Sequence, residues 1–272
     1  MSHSVATIMS VYRNDNPRYL EDAIRSMLSQ SIKTDVYIYV DGVVGEALYK
    51  TLKKFELFER IWITWSSTNR GLGYALNELV DIVINNDREY EYVARMDSDD
   101  ISRPDRLEKQ VSFFQEHNNV DVLGGFCHEF GSSFALDIKK LPQEHSELKK
   151  FSIARCPFIH PTVMFRTKVF SSGIRYPVNT SFTEDMALWF ILLERGYIFA
   201  NISDVVLDYR LEEATLTRRI GLKKAKSEFI LRNKYFWKLG SFSPLTLLAV
   251  YARFVFHLLP ESVMKFVYGR LR

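Results

Sequence analysis

The chain has 272 residues, of which 47% are apolar and 25% charged, which excludes a disordered or fibrous chain and predicts one main globular domain with room for an appendage. Its two cysteines, Cys127 and Cys156, have neither paired metal-ligand spacing nor the density of a secreted disulfide scaffold, so no chemistry is expected of them. The net charge of +3 is uneven. Residues 218–272 carry twelve Lys and Arg against Glu228 and Glu261, a local balance of +10 that leaves −7 for the first 217 residues, so the two ends face different partners.

Met1-Ser2-His3-Ser4-Val5 enters a strand-like run at once, without the basic segment and apolar stretch of a signal peptide, and the expected location is the cytoplasm. Strand-like runs at Val5 to Tyr12, Asp35 to Val40, Arg60 to Trp65, Tyr92 to Met96 and Val120 to Gly124 alternate with helical patterns. The helices are expected at Arg18 to Gln30, Gly45 to Phe58, Leu72 to Ile84 and Pro104 to Glu116. That alternation predicts an α/β fold with a doubly wound, mostly parallel sheet, which binds ligands beyond the carboxyl ends of its strands. A loop at Gly131 to Pro142, a strand at Phe158 to Arg166 and a helix at Asp185 to Arg195 follow. From about Thr215 the chain turns basic and helical.

Chemistry is expected at the strand ends. Asp97-Ser98-Asp99-Asp100 follows the strand Tyr92 to Met96, and three carboxylates in four residues repel one another unless a cation or water separates them. Oxygen ligands of this kind suit Mg²⁺ or Mn²⁺; the same residues also read as an acidic turn. Asp41, in Val40-Asp41-Gly42, can accept a hydrogen bond from a base or ribose, or simply make an Asp-Gly turn. Asn69-Arg70-Gly71-Leu72-Gly73-Tyr74-Ala75-Leu76-Asn77 offers glycines and a helix start whose free N–H groups could face a phosphate, without a full dinucleotide fingerprint. In Thr183-Glu184-Asp185, Thr183 reads as an N-cap with acids in the first turn, and Asp185 could equally take a proton from an attacking hydroxyl.

In this order and spacing, Thr7 to Tyr12, Asp41, Asn69 to Asn77, the Asp-x-Asp of Asp97 and Asp99, and Glu184-Asp185 resemble the family 2 glycosyltransferases of the GT-A fold, from about Val5 to Arg210. The resemblance implies that Val11, Tyr12 and Asp41 hold the nucleotide base, that Arg70, Gly71 and Asn77 shape the donor pocket, and that Asp97 and Ser98 lie near the ribose and donor sugar. It implies Asp99, with Asp97, as the site of a divalent cation, and Asp185 as the general base of one inverting displacement, an α-linked donor giving a β-linkage. His160 and Glu184 fall on the acceptor side. Leu211-Glu212-Glu213-Ala214-Thr215 has no His where several relatives carry one, which leaves a third metal ligand open. A Gln-x-x-Arg-Trp segment is also missing, so one sugar per encounter is expected. By family habit the donor is a UDP-sugar carrying glucose, galactose or an N-acetylated hexosamine.

Pro244 and Pro260 bracket an apolar run interrupted by Arg253 and His257, too short to span a bilayer, which needs ~20 residues. Their spacing of four predicts one polar face on an interfacial helix. Arg218, Arg219, Lys223, Lys224, Lys226, Arg232, Lys234 and Lys238 lie among Phe229, Ile230, Tyr235, Phe236 and Trp237, a mixture suited to anionic headgroups or to a basic face on a packed subdomain. Division into a catalytic domain over 1–214 and a basic region over 215–272 is therefore expected. Attachment at the inner face of the membrane would bring the enzyme to a lipid-diphosphate-linked saccharide, as in O-antigen or capsule assembly. Two other readings stand beside this one: a sugar-nucleotide nucleotidyltransferase, and a basic adaptor binding nucleic acid, a partner the main reading does without.

Overall fold

The computed structural model describes residues 4–180, 182–212, 222–240 and 243–256. Eight strands form one sheet in the order β3-β2-β1-β4-β7-β6-β8-β5. The strands are β1 (Val5–Tyr12), β2 (Thr34–Asp41), β3 (Ile61–Trp65), β4 (Tyr92–Met96), β5 (Ile101–Ser102), β6 (Val122–Phe130), β7 (Met164–Arg166) and β8 (Phe199–Arg210). Helices are α1 (Pro17–Leu28), α2 (Glu46–Phe55), α3 (Leu72–Ile84), α4 (Arg106–Glu116), α5 (His145–Ala154), α6 (Lys168–Ser171), α7 (Glu184–Glu194), α8 (Leu222–Lys238) and α9 (Pro244–Phe256).

The sheet is buried on both faces, as its near-continuous apolar strands require. Val5, Met9 and Val11 of β1 point to a core shared with Leu20 and Ile24 of α1, Leu52 of α2 and Leu107 and Phe114 of α4. The alternate residues Ala6 and Ile8 meet Leu76 and Leu79 of α3, Phe170 of α6 and Trp189 of α7 on the other side. A doubly wound fold follows from this period of two.

The expected parallel order holds for β3-β2-β1-β4, while β7 runs antiparallel to both β4 and β6, and β5 antiparallel to β8. The far half of the sheet is thus mixed. The strand expected over Phe158 to Arg166 is broken: His160–Thr162 forms a 3-10 turn and only Met164–Arg166 is extended. Pro161, at the start of that turn, has a fixed φ and no N–H for a ladder. The strand expected to end at Gly124 continues to Phe130, paired with β8 across register shifts at Gly125/Phe126 and Phe126/Cys127. Pro104 lies outside α4, which starts at Arg106.

α8 and α9 share a small core with the rest of the fold: Tyr235 and Phe236 of α8 and Val250 of α9 pack with Ile153 of α5 and with Met186 and Phe190 of α7. Arg232, fully buried, donates from Nη1 to the carbonyls of Ser152 and Ile153 at 2.9 and 2.6 Å, meeting acceptors left open at the end of α5. The boundary expected near Thr215, and the calls on Arg218, Arg219, His257 and Pro260, lie outside the described residues. Among the described residues no helix is long and apolar enough to cross a membrane.

Candidate active site

The strand order reverses beside β1, whose neighbours are β2 and β4, and at such a point the carboxyl ends of adjacent strands diverge to leave a crevice. Tyr12, Asp41 and Asp97 all lie at these ends. Asp15, in the turn after β1, ties two of them together: its Oδ2 accepts from the Tyr12 N–H at 3.0 Å and from the Ser98 hydroxyl at 2.8 Å. Val11 is fully buried in the core beneath.

Asp41 is buried, and its two carboxylate oxygens accept the N–H groups of Arg70 and Gly71, both at 2.8 Å. Gly42 and Gly71 have φ of +93° and +91°, left-handed values that glycine adopts without a Cβ penalty. Asp41 therefore clips the turn that launches α3, and the Arg70 guanidinium lies 3.4 Å from the centre of the Tyr74 ring. Asn77 is spent on structure. Its amide donates to the Tyr176 carbonyl at 2.8 Å and its Oδ1 accepts from the Tyr176 N–H at 2.7 Å, so its side chain pins the 173–180 segment to α3 instead of offering both groups to a donor.

Asp97, Asp99 and Asp100 bring ligand oxygens within 4.8 Å of one another. Asp97 is paired with Arg95, a buried side chain whose Nε and Nη1 find no other partner. Burial, then the charges of Asp97 and Asp15, pushes the Asp99 carboxyl up to about 7. Asp100 is raised well above the ordinary range by burial and by its two neighbours. Its Oδ1 accepts the Arg210 N–H at 2.8 Å, while Oδ2 is buried without a partner. Arg210 also donates from Nε to the Asp99 carbonyl at 2.8 Å. An oxygen-only set with an orphaned buried carboxylate oxygen and disfavoured negative charge fits a hard divalent cation, and Asp100 adds a third carboxylate to the Asp97 and Asp99 pair.

The N-terminus of α7 lies against the start of α3. A Cβ at Gly73 would lie 3.5 Å from the Glu184 Cβ, so the starts of α3 and α7 nearly touch. Burial, then Asp185, raises the Glu184 carboxyl. Asp185 accepts the Met186 N–H at 2.7 Å through Oδ1, and the Cys156 thiol lies 3.9 Å from Oδ2. Thr183 occupies the N-cap position without capping; its hydroxyl pairs with Ser227 of α8 at 3.0 Å. His160 is held by Tyr176, Nε2 to hydroxyl 3.1 Å. Burial and the nearby Arg95 charge hold its pKa well below the usual value, so it stays neutral.

The expectations of sequence give no site role to Asp15, Arg95, Tyr176 or Arg210. Only Arg95 left a signal, a cation inside an otherwise apolar buried strand.

Residues 7–180 match the Glycosyl transferase family 2 profile. The chain belongs to that family, and its architecture is that of the GT-A glycosyltransferases. It is 35% identical over 269 residues to a glycosyltransferase of Haemophilus influenzae, covering 97% of each chain. It is 31% identical to the UDP-Gal:alpha-D-GlcNAc-diphosphoundecaprenol beta-1,3-galactosyltransferase of Escherichia coli, covering 98% of this chain and 95% of the other. Among solved structures, S. aureus TarS 1-349 in complex with UDP-GlcNAc superimposes with a TM-score of 0.65 at 17% identity, covering 93% of this chain and 72% of that one. Mannosyltransferase PcManGT of Pyrobaculum calidifontis, in complex with GDP-Man and Mn2+, gives 0.63 at 15% identity, over 98% and 79%.

Proposed function

We propose that the protein transfers one sugar from a UDP-sugar, carrying glucose, galactose or an N-acetylated hexosamine, to a lipid-diphosphate-linked saccharide in surface polysaccharide assembly, inverting an α-linked donor to a β-linkage. The observation that carries this reading is the carboxylate cluster of Asp97, Asp99 and Asp100 at the end of β4, with Glu184-Asp185 at the start of α7 near enough that the buried Tyr176 hydroxyl feels the charges of Asp97, Glu184 and Asp185 together. The relative acting on an undecaprenol-linked sugar supports the choice of acceptor, and the UDP-GlcNAc complex of TarS supports the choice of nucleotide.

Tyr12 and the Asp41 clip border the base, with the Arg70-Gly71 turn beside the ribose and diphosphate. Asp97 and Ser98, held by Arg95 and Asp15, position the ribose and donor sugar. Asp99 and Asp97, with Asp100 behind them, would hold Mn²⁺ or Mg²⁺, whose charge stabilises the departing diphosphate. Asp185 accepts the proton of the acceptor hydroxyl as that oxygen attacks the anomeric carbon from the face opposite the diphosphate. Glu184 and His160 border the acceptor side, neutral His160 as a hydrogen-bonding group rather than a charge. Family membership stands against the nucleotidyltransferase alternative, and neither a processive polymer nor a nucleic-acid partner is part of this reading.

A panel of UDP-, GDP- and TDP-sugars with Mn²⁺ tests it, scored for binding and slow donor hydrolysis. One UDP-sugar should bind metal-dependently to the wild type and not to Asp99→Ala. Asp185→Asn should bind it normally and lose turnover by ~100-fold or more. If no nucleotide sugar binds with or without metal, the reading fails.

A further inference from the structure

Helix α9 is apolar on both sides: Val250 and Leu247 face the core, and a second apolar face points away from it. At 100° per residue, Leu245, Leu248, Tyr251, Ala252 and Val255 fall on one arc of about 120°, and that arc is the outward one. Leu245 is 78% exposed, Leu248 65%, Val255 55% and Tyr251 50%. Arg253, expected to mark a polar outer face, turns inward and pairs with Glu228, a buried carboxylate also held by Arg232 at 2.8 Å. Water would favour the opposite arrangement, because each exposed apolar side chain forgoes burial.

The neighbouring helix indicates what covers this face. On α8 the outward positions are Lys223, Lys226, Ile230, Lys234, Trp237 and Lys238, cations with an aliphatic and an indole ring between them; Lys238 pairs with Glu194 of α7, so Lys223, Lys226 and Lys234 are the cations offered outward. Phe229 on the flank of α8 meets Tyr251 at 5.2 Å and Phe254 at 5.1 Å between ring centres, which seats the helices side by side. An apolar ridge beside lysines and a tryptophan matches the layering of an anionic bilayer, acyl chains below and headgroups above. With 13 residues, α9 is about 20 Å long, short of the ~30 Å hydrocarbon core.

We propose that the protein docks on anionic membrane through the exposed face of α9, laid flat in the interface, with the α8 lysines on the headgroups. This deepens the reading of a lipid-linked acceptor given above and rests on it for its purpose.

Co-sedimentation of the full chain with vesicles of phosphatidylcholine, with and without phosphatidylglycerol, tests the docking. Wild type should bind the anionic vesicles, and part of the binding should survive high salt. Leu245→Glu with Leu248→Glu, at exposed positions that leave the core intact, should weaken binding about tenfold or more. Lys226→Glu with Lys234→Glu should weaken it mainly at low salt. The proposal is overturned if wild type ignores anionic vesicles or if the Leu245/Leu248 variant binds them as well as wild type. It is overturned equally if that variant instead dissolves a wild-type dimer, or lowers the melting temperature while vesicle binding holds; the face then belongs to a second copy or to this chain's own C-terminal segment. Donor hydrolysis in solution, measured alongside, should be the same for all three proteins. A lack of hydrolysis in wild type counts against the transferase reading and leaves the vesicle result standing.

Discussion

The hydroxyls of Thr183 and Ser227 lie 3.0 Å apart, joining the N-cap position of α7 to the middle of the basic helix α8. Thr183 thus forgoes the capping bond expected of it, and the first turn of α7, with Glu184 and Asp185, is referenced to the proposed membrane-facing layer. Ser227→Ala should remove this partly buried hydrogen bond, costing about 1 kcal/mol, or roughly 2–4 °C in melting temperature for a chain of this size. If the contact positions Asp185, turnover should fall several-fold with donor affinity unchanged. Equal turnover in wild type and variant would confine the contact to stability.

Asp99 sets a second expectation, in pH. Its carboxyl is raised from 3.8 to about 7 in the folded chain, so between those values the folded state keeps a proton that the unfolded chain has released. Stability from this group is therefore full below about pH 4 and lost as pH rises through about 7, and Asp100 shifts in the same direction. In metal-free buffer the melting temperature should fall over that window from this source. Mn²⁺ should restore it at about pH 8 and do less at about pH 5.5, where protons compete for the ligands. Asp99→Asn should melt higher than wild type without metal at about pH 8 and lose the response to Mn²⁺. A metal response that persists in Asp99→Asn would move the ion elsewhere.

The parallel half of the sheet was legible because β1, β2 and β4 are buried along nearly their whole length, and β2 and β4 run into Asp41-Gly42 and Asp97. β1, β4 and α3 fall at the expected residues. β8 escaped because Asn201, Ser203, Asp204 and Asp208 interrupt its pattern, and it pairs at the mixed edge where one side meets solvent. Helix α5 escaped because it buries little beyond Leu148, Ser152 and Ile153. At the site, the carboxylates could be read from local spacing. Their partners could not: Arg210 reaches Asp100 across 110 residues, and no local pattern encodes such a contact. Arg253 makes the same point, since its helix was expected and its orientation was decided by Glu228 on another helix.

Both cysteines should be silent to thiol reagents in the native protein. Cys127 is fully buried in the core. Burial, then the Asp185 charge, pushes the Cys156 thiol up to about 12, so its thiolate population is negligible at neutral pH. Iodoacetamide at about pH 8 should label neither until denaturant is added. Cys156 is partly exposed, so rapid labelling of it in the folded chain would show that burial and the Asp185 charge do not hold its thiol protonated.

Gly42 offers a test of the Asp41 clip that leaves every carboxylate in place. Its φ is +93°, and a Cβ there would sit 2.9 Å from the Asn69 backbone nitrogen. Gly42→Ala meets both the left-handed penalty and a backbone clash, each on the order of 1–3 kcal/mol. Relief requires the Asn69 to Gly71 turn to move away from Asp41, which lengthens the two 2.8 Å bonds from Arg70 and Gly71. The variant should therefore melt lower and bind a UDP-sugar or UDP about tenfold or more weakly, because the turn and base pocket share this clip. Asp41→Asn keeps the shape and loses one acceptor oxygen, so it should weaken binding less than Gly42→Ala does. If Gly42→Ala lowers stability and leaves nucleotide affinity untouched, Asp41 is a structural clip alone and the base lies elsewhere in the crevice.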